Sequence, residues 1–238
     1  MADLPPERLD TSPPFSYVGL DVFGPWTVVT RRTRRGAAQS KRWAILFTCM
    51  GTRGVHTVIE SLDATSCINA LRRFFADGGP AKQLRSDRGT NFIAASAELG
   101  MDPPNGKQTS ILNYLHSNGC TWEFNPPHAS HMGGVWERIF GVTRRILDSM
   151  LLQNKPTHLT HEVLCTLMAE ITAIINARPL VPISSDPSSP VLLSPAMLLT
   201  QKPGLHAPPG DFTRKDLLKG QWRQVQVQAL ANEFWGRW

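Results

Sequence analysis

QLRSDRGTNF, residues 83 to 92, is the stretch on which the fold turns. A short extended run ends at Asp87, and Arg88, Gly89, Thr90 and Asn91 then break it. One reading is a turn, because Asp accepts hydrogen bonds from its own nearby backbone and Gly relieves the bend. The other is a metal ligand held at a strand end. The choice depends on whether other carboxylates are carried on neighbouring elements.

Upstream, SYVGLDVFG (16–24) alternates and is rich in β-formers, which predicts a strand. WAILFTCM (43–50) is a continuous apolar run, as expected of a strand buried on both faces. GVHTVIE (54–60) predicts a third strand, so the three form a meander. Between the first two, RRTRRGAAQSKR (31–42) holds six basic residues and no acidic one, and is expected to be a solvated hairpin loop. Asp63 is positioned to cap a helix whose Ile68, Leu71, Phe74 and Phe75 recur at helical spacing. Asp77-Gly78-Gly79-Pro80 ends it, and residues 81–86 form a fourth strand.

Downstream, helices are expected over 90–99 and 107–119, around a break at DPPNG (102–106). TWEFNPP (121–127) predicts a fifth strand ended by its prolines, followed by a loop, HASHMGG (128–134), with His128 and His131. A long helix follows over 134–151, with an apolar stripe of Val135, Ile139, Val142, Ile146 and Leu147. A further helix is expected from about Thr160 to Asn176, stopped at Arg178-Pro179. Residues 179–210 are rich in Pro and Ser and are expected to wrap the surface, and 214–238 reads as an amphipathic helix. The order β-β-β-α-β-α-β-α predicts an α/β fold with a mixed sheet of five strands flanked by helices. The expected organisation is an extended lead-in over 1–14, a core over 15–178, and a C-terminal extension over 179–238.

The chain has 238 residues, 41% of them hydrophobic, and a net charge of +6, which points to an anionic partner. Cys49, Cys67, Cys120 and Cys165 are far apart, with no CxxC or Cys/His cluster, so neither a zinc site nor a disulfide framework is implied. An intracellular, reducing compartment fits. No apolar h-region opens the sequence, and no run is long and apolar enough to span a membrane.

Two-metal phosphoryl chemistry needs hard oxygen ligands around ions about 3.5–4 Å apart. Asp21, in the first strand between Leu20 and Val22, and Asp87, at the end of the fourth, would face one crevice if those strands were neighbours. Two residues compete for the third position. Glu123 lies 36 positions beyond Asp87, within a strand; Glu137 lies 50 beyond it, early in the long helix and after a Gly-Gly loop. Glu137 is the better ligand on physical grounds, because the loop permits closure and the helix start is electropositive. Its bland reading is a favourable first-turn acid, and that of Asp21 an outward-facing strand residue.

GLDVFGP (19–25), QLRSDRGTNF (83–92) and FNPPHASHMGGVWER (124–138) together resemble the catalytic core of retroviral and retrotransposon integrases, most closely those of BEL/Pao-type elements. ARPL (177–180) and LSPAMLLT (193–200) resemble the tail of that group, and the likeness covers roughly residues 15–204. It implies an RNase H-like fold and an Asp-Asp-Glu triad at Asp21, Asp87 and Glu137, holding two Mg²⁺ or Mn²⁺ ions when DNA is bound. The shorter spacing of many retroviral cores would select Glu123, but the Gly-Gly and Trp-Glu-Arg context surrounds Glu137. The implied activity is DNA end processing and strand transfer by a homo-oligomer, in the nucleus at the point of action. Expected DNA contacts are Asn91, Arg138, Arg144 and Arg145, together with the basic run of Arg31, Arg32, Arg34, Arg35, Lys41 and Arg42. No upstream His/His/Cys/Cys module precedes the core here, so a fragment or a domesticated host gene is expected. In the latter case the alternative is a non-catalytic nucleic-acid-binding or protein-interaction module on the same fold.

Overall fold

The structure is a computed structural model that describes residues 9–33, 36–86, 119–124, 134–154, 159–183, 192–202 and 223–237. Five strands form one sheet: β1 (Tyr17–Thr33), β2 (Gly36–Cys49), β3 (Val55–Glu60), β4 (Gln83–Ser86) and β5 (Thr121–Phe124), in the order β3-β2-β1-β4-β5. β1 pairs with β4, and β4 with β5, in parallel. The links from β1 to β2 and from β2 to β3 are too short for a crossover, so those neighbours are antiparallel and the sheet is mixed. The remaining elements are α1 (Ala64–Gly78), α2 (Gly134–Asn154), α3 (His161–Asn176), a two-stranded pair β6 (Val181–Pro182) and β7 (Leu192–Leu193), α4 (Pro195–Thr200) and α5 (Arg223–Arg237). The expected helices over 90–99 and 107–119 fall almost wholly outside the described residues.

The chain packs as two compact units, one of Met1–Phe23 with Ala44–Phe140, the other of Gly24–Trp43 with Gly141–Trp238. In the first, Val18, Leu20, Ile45, Phe47, Val58 and Leu84 of the sheet share a core with Ile68, Leu71, Phe74 and Phe75 of α1. Phe47 and Phe74 stack with centroids 4.2 Å apart, and Phe15 meets Phe74 edge-on at 5.3 Å. α1 begins where Asp63 Oδ1 accepts from the Ser66 amide at 2.9 Å, as the sequence predicts. It ends at Gly79, whose φ of 80° is cheap only for glycine. Residues 44–50 are buried throughout, in keeping with a strand covered on both faces.

In the second unit, α3 packs against α5 and carries buried Val163, Leu164, Leu167, Met168, Ile171, Ile174 and Ile175. Thr160 caps α3, its Oγ1 accepting from the Val163 amide at 3.3 Å. Leu230 and Phe234 of α5 are fully buried.

One expectation is corrected. Residues 31–33 and 36–42 are strand rather than loop: β1 continues to Thr33 and β2 starts at Gly36, and Arg34 and Arg35 lie outside the described residues. A two-stranded ribbon satisfies its backbone by cross-strand pairing whatever its side chains, so charge content does not end it. The extra strand had a signal: Trp26 and Val28 are buried and Thr27 is exposed, an alternation in WTVV. The Val29 amide donates to the Leu159 carbonyl at 2.8 Å and anchors the ribbon. At its base, Gly24 has a φ of 123°, and a Cβ there would lie 3.0 Å from the Arg42 carbonyl oxygen. On α2, Leu147 of the expected stripe is buried and Ile139, Val142 and Ile146 are half-buried, and the deepest positions are Thr143, Leu147 and Met150. Thr143 reads as polar, so its place on the buried stripe is hidden in a hydrophobic count.

Candidate active site

In a strand, alternate side chains face opposite sides of the sheet. Val18, Leu20 and Val22 of β1 face the core shared with α1. Gly19, Asp21 and Phe23 therefore face the other side. Asp21 is half-buried, and its Oδ1 accepts from the Val22 amide at 2.8 Å.

The neighbour that matters is β4. The register pairs Tyr17 with Gln83, Val18 with Leu84, Gly19 with Arg85 and Leu20 with Ser86. Leu20 immediately precedes Asp21, and Ser86 immediately precedes Asp87. The condition set by the sequence, that the first and fourth strands be neighbours, is met. Asp87 itself lies outside the described residues, as do Asn91, His128 and His131. Ser86 is fully buried, and its Oγ accepts from Trp122 Nε1 at 3.0 Å, which ties the end of β4 to β5.

Glu137 is half-buried in the first turn of α2, where the helix dipole favours a carboxylate. Phe140, one turn on, meets Phe23 edge-to-face with centroids 5.1 Å apart. Phe23 shares its strand face with Asp21, and Phe140 its helix face with Glu137. This aromatic contact turns the Asp21 side of β1 toward the Glu137 side of α2.

Glu123 is occupied differently. It pairs with Arg85 in the β4–β5 register, and Arg85 Nη2 lies 3.2 Å from its Oε2. Because Arg85 pairs in turn with Gly19, this ion pair is on the sheet face that carries Asp21. Sequence reasoning weighed Glu123 only as a ligand and passed over Arg85. The signal was an arginine two residues before Asp87, so set on the same strand face as the predicted strand-end ligand.

Of the expected DNA contacts, Arg138, Arg144 and Arg145 are exposed on α2. Arg144 pairs with Asp148 at 3.4 Å, and Arg145 Nε donates to the Gly141 carbonyl at 3.1 Å. Lys41 is exposed, whereas Arg42 is half-buried and its Nη1 donates to the Lys41 carbonyl at 2.9 Å. Arg31 and Arg32 lie in β1.

Among the described residues no group of three or more His, Cys, Asp or Glu side chains forms a metal cluster. The donors on facing surfaces, Asp21 and Glu137, are hard carboxylates and fit Mg²⁺ or Mn²⁺ rather than a soft metal. No helix among the described residues is long and apolar enough to cross a membrane.

No protein-family model matches the chain, and neither does any curated protein. Solved structures do. The simian T-cell lymphotropic virus intasome, in complex with PP2A regulatory subunit B56 gamma, contains a chain that matches at a TM-score of 0.50 and 14% identity. The match covers 84% of the present chain and 59% of the viral one. The HTLV-2 integrase catalytic core domain in complex with magnesium matches in a dimeric form at TM-score 0.45 and 14% identity, over 73% of this chain and 93% of that one. Its trimeric form matches at 0.37 and 13%, over 59% and 74%. The fold is thus RNase H-like, a mixed five-stranded sheet flanked by helices. More particularly, it is the fold shared with a chain of that viral intasome.

Proposed function

We propose that this chain is the catalytic core of an integrase-like polynucleotidyl transferase, of the BEL/Pao retrotransposon type, that processes DNA ends and transfers strands. The observation that carries the reading is the parallel register of β1 and β4, which sets Leu20 beside Ser86, the residues that precede Asp21 and Asp87. Asp21, Asp87 and Glu137 would hold Mg²⁺ or Mn²⁺. When bound, such ions activate the attacking oxygen, first of water and then of a DNA 3′-hydroxyl, and stabilise the leaving 3′ oxygen. The chain's own part is to present these carboxylates. Asp21 is steadied by the Val22 amide, and Glu137 is carried by a helix seated through Phe140. No Ser or Tyr nucleophile is required.

Exposed Arg138, Arg144 and Arg145 on α2 would take DNA phosphates, as would Asn91 and the basic ribbon of Arg31, Arg32, Arg34, Arg35, Lys41 and Arg42. The protein would act as a homo-oligomer, intracellular and nuclear at the point of action. The net charge of +6 supports a polyanionic substrate such as DNA.

The test is a strand-transfer assay with oligonucleotide DNA and Mg²⁺ or Mn²⁺. Asp87→Asn and Glu137→Gln should abolish transfer while leaving DNA binding intact. DNA binding without turnover in the unaltered protein, under either metal, would instead favour the non-catalytic module.

A further inference from the structure

We infer that Arg85 and Glu123 form a positioning pair for the carboxylate site. The inference rests on the integrase-like reading and extends it to two residues that the triad does not include. Three adjacent strands contribute one row of the sheet, Gly19 of β1, Arg85 of β4 and Glu123 of β5. The row shares its face with Asp21, two residues beyond Gly19 on β1. Gly19 presents no side chain in that row, so Arg85 and Glu123 are its functional content. The Arg85 side chain is only 16% exposed, while Glu123 is 52% exposed, so the arginine is the fixed member and the glutamate the tether.

The pair joins the strand that runs into Asp87 to the strand whose chain continues to Glu137. It lies opposite the second tie between those strands, because Ser86 and Trp122 bond on the α1 side of the sheet. β4 and β5 are four residues each, so the two side-chain ties lie within one short stretch of paired backbone. One lock on each face fixes both strand ends against rotation. Residues that orient metal-holding carboxylates cost about 10- to 100-fold in metal affinity or activity when changed. In this role Arg85 and Glu123 act through the carboxylates rather than as metal ligands.

The test compares Glu123→Gln, Arg85→Lys and the charge swap Arg85→Glu with Glu123→Arg in the full chain. Mn²⁺ affinity is measured by calorimetry, and strand transfer is resolved into kcat and KM. The expected result for Glu123→Gln is a roughly tenfold fall in kcat and a smaller fall in Mn²⁺ affinity. KM for DNA should stay within about twofold and the protein should remain folded, with a modest fall in melting temperature because largely buried Arg85 loses its partner's charge. The swap should recover much of the lost kcat, and Arg85→Lys, which keeps the charge, should lose less than Glu123→Gln. If Glu123→Gln abolishes Mn²⁺ binding as fully as Glu137→Gln, Glu123 is a ligand and the inference is overturned, whether or not the swap folds. Unchanged kcat and Mn²⁺ affinity in Glu123→Gln would also overturn it, leaving the integrase-like reading in place. An unaltered protein that neither binds Mn²⁺ nor transfers strands removes the reading, and the inference with it.

Discussion

Leu20 of β1 and Ser86 of β4 are partners in a parallel register, and each is followed in the chain by an aspartate. The pairing converts a separation of 66 positions in sequence into adjacency across one strand spacing. It also explains why Asp21 is tolerated between Leu20 and Val22: its face of the strand is the one opposite the apolar core. Asp21→Asn is nearly isosteric and keeps an acceptor for the Val22 amide, so the fold should survive. Metal-dependent strand transfer should fall by at least about a hundredfold, more than the usual loss from an outer partner. Parallel measurement of turnover and thermal melting checks both halves of this prediction.

Phe140 is predicted to matter more for turnover than for stability. It is half-buried and meets Phe23 edge-on, one turn beyond Glu137. Phe140→Ala should leave a folded protein whose strand transfer is lower by about tenfold or more, because small displacements of reacting groups are costly. Phe140→Leu, which keeps apolar contact with Phe23, should recover part of the loss.

Stability should carry an acid-side signature from Asp63. The Ser61 hydroxyl, the Ser66 amide and the Ser66 hydroxyl all donate to its carboxylate and lower its pKa below the ordinary 3.8. A depressed folded pKa means that the stabilisation is present above 3.8 and is lost as pH falls through the lower folded value. Asp63→Ala should cost about 1 kcal/mol near neutral pH. The difference from the unaltered protein should narrow in urea titrations carried from about pH 5 to about pH 2.

His56 should give a second signature, nearer neutrality. Burial lowers its pKa below the ordinary 6.5, against an opposing pull from Asp77, 3.9 Å away. The ring lies against Phe47 and Phe74, where the neutral imidazole packs and the charged one is poorly solvated. The unfolded chain binds the proton more readily, so stability falls as pH drops below 6.5 and levels off beneath the folded value. His56→Gln should flatten urea midpoints across that interval.

The four thiols should separate cleanly under alkylation. Burial pushes Cys67 up to about 12 and Cys120 up to about 11, and Cys49 is buried with its Sγ accepting from the Phe15 amide at 3.2 Å. Cys165 is half-buried, 3.5 Å from His161 Nε2. Iodoacetamide at mildly alkaline pH should label Cys165 first, with the other three following only on unfolding, as read by peptide mass mapping.

The amino-acid sequence alone determined most of the core elements. The apolar runs at 43–50 and 54–60, the Asp63 cap, and Ile68, Leu71, Phe74 and Phe75 at helical spacing specify their elements locally, because strand alternation and helix periodicity are properties of neighbouring residues. Asp21 stood out because a carboxylate inside an apolar strand needs a reason. Beyond the alternation in WTVV, the strands over 31–33 and 36–42 were hidden, since cross-strand pairing leaves no periodic mark on a charged stretch, and so was the buried role of Thr143. Only the tertiary structure decided that Leu20 lies beside Ser86, that Phe23 meets Phe140, and that Arg85 engages Glu123. Those relationships join residues far apart in the chain, and strand order and register are set by the packing of whole faces, which no single segment encodes.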